Sequence, residues 1–179
     1  IVNSTGNDYT DESVRELYAK IRYIDQLENI VQRLLVAGRK SVLVFTRFTE
    51  EADRLQERFG KAAEVVSGST PKKERSAILE AFKQKRINVV VNVGVLTTGF
   101  DFPALDTILI ARPTRSLALW YQMVGRAIRP YQGKQGWIVD LCGTFHRFGK
   151  VEDLEIKESV YGKYAVFTGD KQLTNVYFQ

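Results

Sequence analysis

Short runs of β-branched and aliphatic residues alternate along the chain with segments of helical periodicity, and this alternation constrains the fold most strongly. Runs that are apolar throughout fit strands covered on both faces, as in a parallel sheet whose connections are helices. The sequence therefore predicts an α/β fold: an open, mostly parallel, doubly wound sheet with helices on both faces. The predicted strands cover residues 41–46, 62–66, 88–93, 107–111 and 136–141.

Apolar spacing and end signals predict the helices between these strands. Gly38 is a C-terminal cap, and Thr49 and Ser116 are N-caps that precede apolar repeats. Thr70 followed by Pro71 is typical of a helix start, because proline fits the first helical turn. The predicted helices cover residues 24–35, 49–59, 70–83 and 116–128.

The length of 179 residues suits one main domain, which we assign to residues 1–150. Residues 151–179 differ in character, since an acidic stretch is followed by a segment rich in aromatic residues. The turn signal Thr168-Gly-Asp favours a β-hairpin in this extension, although it also fits the start of a further segment.

Composition excludes some classes of protein and leaves the partner open. The chain lacks the run of roughly 18 apolar residues that a membrane helix needs, and its start does not resemble a signal peptide, so we expect a cytoplasmic protein with no membrane partner. One cysteine, Cys142, and one histidine, His146, leave no internal disulfide and no zinc-ligand cluster, and no metal site is expected. The net charge of +5 is compatible with a polyanionic partner but does not require one.

Polar and glycine-containing stretches follow four of the predicted strands. In open α/β sheets, ligands bind at the carboxyl ends of the strands, where loops lead into helices. We therefore expect the functional site at this edge, in the loops at residues 46–47, 67–70, 94–103 and 112–116.

The segment 122–129 carries a glutamine and two arginines at helical spacing. Gln122, Arg126 and Arg129 would share one helix face, and Gly125 would let a ligand or another backbone approach closely. Such a face suits an arginine finger at a transferring phosphoryl group. The alternative is that these arginines complement the dipole of the helix at its carboxyl end.

The loop after the third strand offers a second set of polar groups. Thr97, Thr98 and Gly99 can donate hydroxyl and backbone N–H groups to nucleic-acid phosphates. Asp101 can accept a hydrogen bond from a ribose hydroxyl. The alternative is an ordinary turn in which glycine and aspartate have a local role.

Three ordered segments carry a family resemblance. Residues 42–46, 97–101 and 122–129 resemble helicase motifs IV, V and VI, and the resemblance covers residues 20–141. The chain is similar to the second, C-terminal RecA-like domain of superfamily 2 helicases of the DEAD/DEAH type, a P-loop NTPase fold that here lacks the P-loop. The segments 112–116 and 125–134 are most similar to RadD-like and restriction-type DNA translocases.

The resemblance implies a role for each matching residue. Arg129 would be the arginine finger, Arg126 its companion at the γ-phosphate, and Gln122 would polarise nearby groups. Asp101, with Gly99, would line the ribose side of the nucleotide. Nucleic-acid phosphates would be held by Thr46, Arg47, Gly68, Thr97 and Thr98. Ser67 stands where the family often has histidine, a departure that affects this one side-chain contact.

Two expected ATPase elements are absent from the sequence. It contains no Gly-x-x-x-x-Gly-Lys-Ser/Thr segment and no acidic box. ATP with Mg²⁺ would therefore be held mainly by an N-terminal P-loop domain of the same parent protein, and this chain alone would be inactive as an ATPase. The main hypothesis is the C-terminal motor domain of an ATP-dependent DNA helicase or translocase. The alternatives are a nucleic-acid-binding module without catalysis and an RNA helicase domain.

Overall fold

The structure is a computed structural model that describes residues 1–2, 8–95, 101–126 and 131–174. Within these ranges, helices and strands alternate along most of the chain. The helices are α1 Asp11–Lys20, α2 Tyr23–Val36, α3 Thr49–Phe59, α4 Lys72–Lys83, α5 Leu117–Val124 and α6 Thr144–Phe148. The strands are β1 Val42–Thr46, β2 Ala63–Val66, β3 Val89–Val93, β4 Thr107–Ala111, β5 Trp137–Asp140, β6 Leu154–Glu158, β7 Tyr164–Thr168 and β8 Lys171–Gln172.

The first five strands form one sheet in the order β2-β3-β1-β4-β5, and every neighbouring pair is parallel. The central strand β1 pairs with β3 on one side and with β4 on the other. This arrangement confirms the predicted doubly wound α/β fold, with all five strands within two residues of the predicted positions.

Each strand places alternate residues on opposite faces of the sheet, and each face has its own hydrophobic core. Leu43 and Phe45 of β1 point to one face, where they join Phe82 of α4 and Trp120 of α5. Val42 and Val44 point to the other face, where α2 and α3 cover them with residues that include Leu27 and Leu55. Strands β1 and β4 are buried along their whole length, and their sequences are accordingly almost entirely apolar.

The structure corrects three helix ends. Phe48, not Thr49, occupies the N-cap position of α3, and the carboxylate of Glu51 accepts hydrogen bonds from the backbone N–H groups there. Pro71 precedes the first residue of α4 instead of occupying it. The third correction is the end of α5, which lies at Val124 and not near residue 128. Ser116 caps α5 as predicted, since its hydroxyl accepts from the Leu119 N–H.

Three elements lie outside the sequence-based assignment: α1, α6 and β6. Strands β6, β7 and β8 form a separate antiparallel sheet, in which Thr168 and Lys171 pair across the turn between β7 and β8. A Cβ atom at Gly149 would lie 2.2 Å from the Thr168 hydroxyl, so the small sheet packs directly against the chain at this glycine. The assignment of residues 151–179 to an extension outside the main domain stays a prediction.

Candidate functional site

The carboxyl ends of the five parallel strands lie level along one edge of the sheet. Thr46, the last residue of β1, pairs with Val93 of β3 and with Ala111 of β4. The loops that follow these strands therefore begin side by side. The order β2-β3-β1 makes three of the predicted nucleic-acid segments neighbours, namely the loops that begin near residues 47, 67 and 94.

The two motif residues at the end of β1 have different surroundings. Thr46 is 1% exposed, and its hydroxyl has no hydrogen-bond partner among the described residues. The Arg47 side chain is 9% exposed and is held by ionic and hydrogen-bonding partners. In this conformation neither side chain presents a free polar group to solvent.

The partners of Arg47 come mainly from residues 8–11, which we call the N-terminal strap. The guanidinium group lies 2.8 Å from the Asp11 carboxylate and 3.7 Å from that of Asp8. It also donates to the carbonyl of Tyr9 at 2.6 Å and to that of Pro113 at 3.5 Å. The polar residues of the strap gave no local signal in the sequence, because the ion pairs connect segments far apart in the chain.

Gly68 lies exposed in the short loop between β2 and α4. The loop is fixed by a bond from the Ser67 N–H to the Thr70 hydroxyl and by Arg75, which donates to the carbonyls of both residues. A Cβ atom at Gly68 would meet no atom within 4 Å, so the protein leaves open space in front of this backbone.

The loop after β3 is described at its two ends. Thr97, Thr98 and Gly99 lie outside the described residues. Asp101 is exposed where the chain resumes, and the next residue, Phe102, is buried with its ring centroid 5.4 Å from that of Phe82. The buried ring of Phe102 fixes the position of the chain at the end of the loop. Asp101, the residue before it, is exposed to solvent.

The arginine segment begins at the end of α5. Trp120 is fully buried, whereas Gln122 is exposed on the outer side of the helix. Gly125 and Arg126 form a turn after the helix, although the Gly125 N–H still bonds to the Tyr121 carbonyl at 2.9 Å. Gln122 and Arg126 are thus joined by one further turn beyond the end of α5, while Arg129 lies outside the described residues.

Two residues of the loop after β4, Arg112 and Arg115, were given no role from the sequence. Arg112 is partly buried, and burial together with the nearby charge of Arg47 lowers the pKa of its guanidinium group. Arg115 is exposed, and its backbone N–H donates to the Asp8 carboxylate at 3.1 Å. Both arginines extend the positive charge of Arg47 along the carboxyl edge of the sheet.

Glu51 is a further buried charge that the sequence analysis missed. It is 4% exposed, and burial raises the pKa of its carboxyl group to about 7, against the hydrogen bonds from the Phe48 and Arg47 N–H groups. Half of a sequence signal was present, because a glutamate three residues after the N-cap is typical of a capping box, although Phe48 has no side-chain acceptor to complete it. The assignment of Thr49 as the cap concealed it.

The helix α6 follows β5 at the same edge of the sheet. A cavity of about 380 Å³ lies beside it, with Tyr9, Thr114, Arg147 and Lys171 among its lining residues. Arg147 donates to the Tyr9 hydroxyl at 3.0 Å, and Lys171 donates to the Arg147 carbonyl at 2.6 Å. The cationic groups at this edge therefore reach from β1 across β4 to the small sheet.

Comparison with known proteins identifies the family. The family described as helicase conserved C-terminal domain matches residues 22–131, which is more than half of the chain. This chain belongs to the helicase conserved C-terminal domain family. The expected resemblance to a superfamily 2 helicase domain is confirmed.

Two relatives show how much of a longer protein this domain spans. A 51.5 kDa protein of a Lactococcus phage is 30% identical over 145 residues, which are 79% of this chain and 31% of that protein. The ATP-dependent helicase candidate IRC3 of Saccharomyces cerevisiae is 35% identical over 109 residues, 59% of this chain and 16% of that protein. The helicase domain thus spans less than a third of either relative. Curated relatives include both an RNA helicase and a restriction endonuclease subunit.

A solved structure agrees on the fold. The Escherichia coli DEAD-box protein SrmB, bound to the regulator of ribonuclease activity A, matches with a TM-score of 0.58 at 20% identity. The match covers 69% of this chain and 75% of that one. Among the described residues, no helix is both long and apolar enough to cross a membrane.

Proposed function

We propose that this helicase domain is the C-terminal motor domain of an ATP-dependent DNA helicase or translocase. ATP would lie between this domain and a preceding P-loop domain. Arg129 and Arg126 would reach the γ-phosphate when the two domains close. Thr46, Arg47, Gly68, Thr97 and Thr98 would contact the backbone of one nucleic-acid strand.

The observation that carries this proposal is the level edge of the parallel sheet. Thr46 pairs in register with Val93 and Ala111, and the loops of motifs IV and V therefore start next to each other. Contacts to successive phosphates require such neighbouring loops, and phosphate contacts position a protein on a strand without reading its sequence.

The chemistry of Arg126 fits the phosphate end of ATP, because guanidinium groups bind phosphate oxygens well. Among the described residues, no three histidine, cysteine or carboxylate side chains gather as a metal site. In this proposal Mg²⁺ is held by the P-loop domain, and this chain contributes positive charge to the phosphates.

The choice of DNA rests on the sequence of the loops after β4 and α5. The sequences of residues 112–116 and 125–134 are similar to those of restriction-type translocases. A type I restriction enzyme subunit is among the relatives. An RNA helicase is the second candidate, favoured by relatives named for that activity. ATPase assays of the full-length protein with single-stranded DNA, duplex DNA and RNA as stimulants discriminate between the two.

Replacement of the finger tests the catalytic assignment. In the full-length enzyme, Arg129→Ala should lower kcat for ATP hydrolysis by about 10³-fold, because the charge developing on the γ-phosphate loses its partner. The dissociation constant of ATP, measured by equilibrium binding, should change by no more than a few fold.

Arg33→Ala is the matched control, because Arg33 is an exposed arginine on α2 that belongs to no motif. This variant should hydrolyse ATP at the wild-type rate. If Arg129→Ala also kept a kcat close to wild type, the arginine-finger assignment would be wrong.

A further inference from the structure

The N-terminal strap lies across the loops that follow β1 and β4 and contacts the helix α6. Its two carboxylates and the Tyr9 carbonyl engage Arg47, and the Asp8 carboxylate also accepts from the Arg115 N–H. The Tyr9 hydroxyl accepts from Arg147 of α6 at 3.0 Å. One four-residue segment therefore bridges the loops after β1 and β4 and the helix α6.

Four arginines lie next to the strap, and we call them the arginine strip. Arg47 and Arg147 contact it through their side chains, and Arg115 contacts it through its backbone N–H. The fourth, Arg112, is partly buried, and the nearby charge of Arg47 adds to the burial that lowers its pKa. Asp8 and Asp11 act in the opposite direction, because their negative charges stabilise the Arg112 guanidinium. The carboxylates of the strap therefore offset part of the positive charge at this edge of the sheet.

Carboxylates on arginines commonly occupy positions that phosphates can also take. Both anions accept paired N–H donors from a guanidinium group, and a phosphate carries more charge and more acceptor oxygens. Arg47 is also the residue that the helicase motif assigns to a nucleic-acid phosphate. The strap and a nucleic-acid strand would therefore use the same donors.

We propose that the arginine strip is a phosphate-binding site for the nucleic-acid backbone and that the strap is its built-in competitor. This inference rests on the proposed function and extends it, since it adds Arg112, Arg115 and Arg147 to the backbone contacts. A bound strand displaces Asp8 and Asp11 from Arg47. The strap thereby weakens binding until a strand of sufficient charge engages the whole strip.

The contacts between the strap and Arg47 are of a kind that can be broken. The Asp11 side chain is 70% exposed, and exposed ion pairs are weak and sensitive to salt. The strap ends in the N-cap, Thr10, and the first residue, Asp11, of α1. Displacement of residues 8–11 therefore disturbs the start of α1 but leaves the backbone hydrogen bonds of the sheet in place.

The test is binding of a fluorescein-labelled single-stranded oligodeoxynucleotide to the 179-residue chain, followed by fluorescence anisotropy at low salt. Asp8→Asn with Asp11→Asn should tighten binding about 10-fold, because both competing carboxylates lose their charge. Asp11→Asn alone should give a smaller gain in the same direction, and it serves if the double variant fails to fold.

The matched control is Asp25→Asn with Asp53→Asn. These carboxylates lie on α2 and α3, outside the strap, and their loss raises the net charge by the same amount. The control should tighten binding by less than two-fold. Adding Arg47→Ala to the strap variant should remove its gain, and adding Arg147→Ala should reduce it.

Three results decide the outcome. A gain confined to the strap variants and dependent on Arg47 supports the competitor. If wild type binds DNA but the strap variants bind no better than the control, the competitor is wrong while the proposed function stands. If no variant binds DNA at any concentration at which the chain is folded and soluble, both the strip and the proposed nucleic-acid contacts are wrong.

Discussion

Two arginines at opposite edges of the same sheet have almost the same burial but different kinds of partner. The Arg39 side chain, just before β1, is 13% exposed, and the Arg47 side chain, just after β1, is 9% exposed. Both are paired with aspartates. The difference lies in where the partners belong in the chain.

The partners of Arg39 are parts of the sheet itself. Its guanidinium group pairs with Asp106 at 3.4 Å, donates to the Thr107 hydroxyl at 2.7 Å, and lies over the ring of Trp137. Asp106 in turn accepts from the backbone N–H groups of Lys40 and Ser41. This cluster joins β1, β4 and β5 at their amino ends and cannot open without disturbing the strands.

The partners of Arg47 are carried by a segment that belongs to no strand. Asp8, Tyr9 and Asp11 can leave together, and the parallel sheet keeps all its backbone hydrogen bonds when they do. Burial of an arginine therefore does not by itself distinguish a structural ion pair from an exchangeable one. The two are distinguished by whether the partners of the arginine belong to the sheet or to a separate segment.

The largest expected effect is at the amino edge. Arg39→Ala should lower the free energy of unfolding by about 3–5 kcal/mol, because it leaves the largely buried Asp106 carboxylate without its cation. Urea unfolding followed by circular dichroism measures the loss. The strap variant Asp8→Asn with Asp11→Asn should lose less, because asparagine still accepts hydrogen bonds from Arg47 and the Asp11 side chain is already 70% exposed; an equal loss in both proteins would remove the distinction between the two arginines.

An intermediate effect is expected from Glu51, which lies under the carboxyl edge. Burial raises the pKa of this carboxyl group from an ordinary value of 4.5 to about 7. Between these values the folded protein retains a proton that the unfolded chain releases, so the free energy of unfolding falls as the pH rises through this interval. The loss attributable to Glu51 should be about 2–3 kcal/mol.

Urea unfolding at pH 5 and pH 8 measures this slope. Glu51→Gln should remove the contribution, since an amide does not titrate, and the difference between variant and wild type isolates it from other titrating groups. Asp53→Asn, an exposed change on the same helix, should retain the wild-type slope. Identical slopes in wild type and Glu51→Gln would contradict the raised pKa.

The smallest effect on the free energy of unfolding is expected for an exposed ion pair. Glu50 on α3 pairs with Arg15 at 2.7 Å, and the two side chains are 59% and 51% exposed. Glu50→Gln should change the free energy of unfolding by less than about 1 kcal/mol, because exposed ion pairs gain little over hydration. Thermal unfolding checks this, and a loss above 2 kcal/mol would show that ion pairs on the outer face of α3 also hold the fold.

The large-scale fold could be predicted because its signals are local. Each strand of the sheet contains a run of apolar residues, and residues such as Gly38 and Ser116 mark helix ends by their own chemistry. Where several local signals compete, the prediction was less accurate. The apolar pattern of α5 continues past Val124, yet the helix ends there, at a glycine.

The site could be predicted in part for the same reason. The motif positions follow from strand order, because level strand ends bring the loops together. The strap could not be predicted, since Asp8 meets the Arg115 N–H across most of the chain and no periodic pattern records such a pairing. The roles of Arg112 and Arg147 depend on that same long-range contact.

The position of β1 in the sheet also determines when the fold can form. Val42 pairs with Val89 of β3 on one side and with Thr107 of β4 on the other. During synthesis, β1 therefore emerges well before either of the strands with which it pairs. Until β4 emerges, a nascent chain that has paired β1 with β3 leaves one side of β1 as an open, apolar edge. Non-local pairing of this kind slows folding and populates intermediates that are prone to aggregate. A protein truncated between β3 and β4 would consequently aggregate instead of forming a smaller version of this domain.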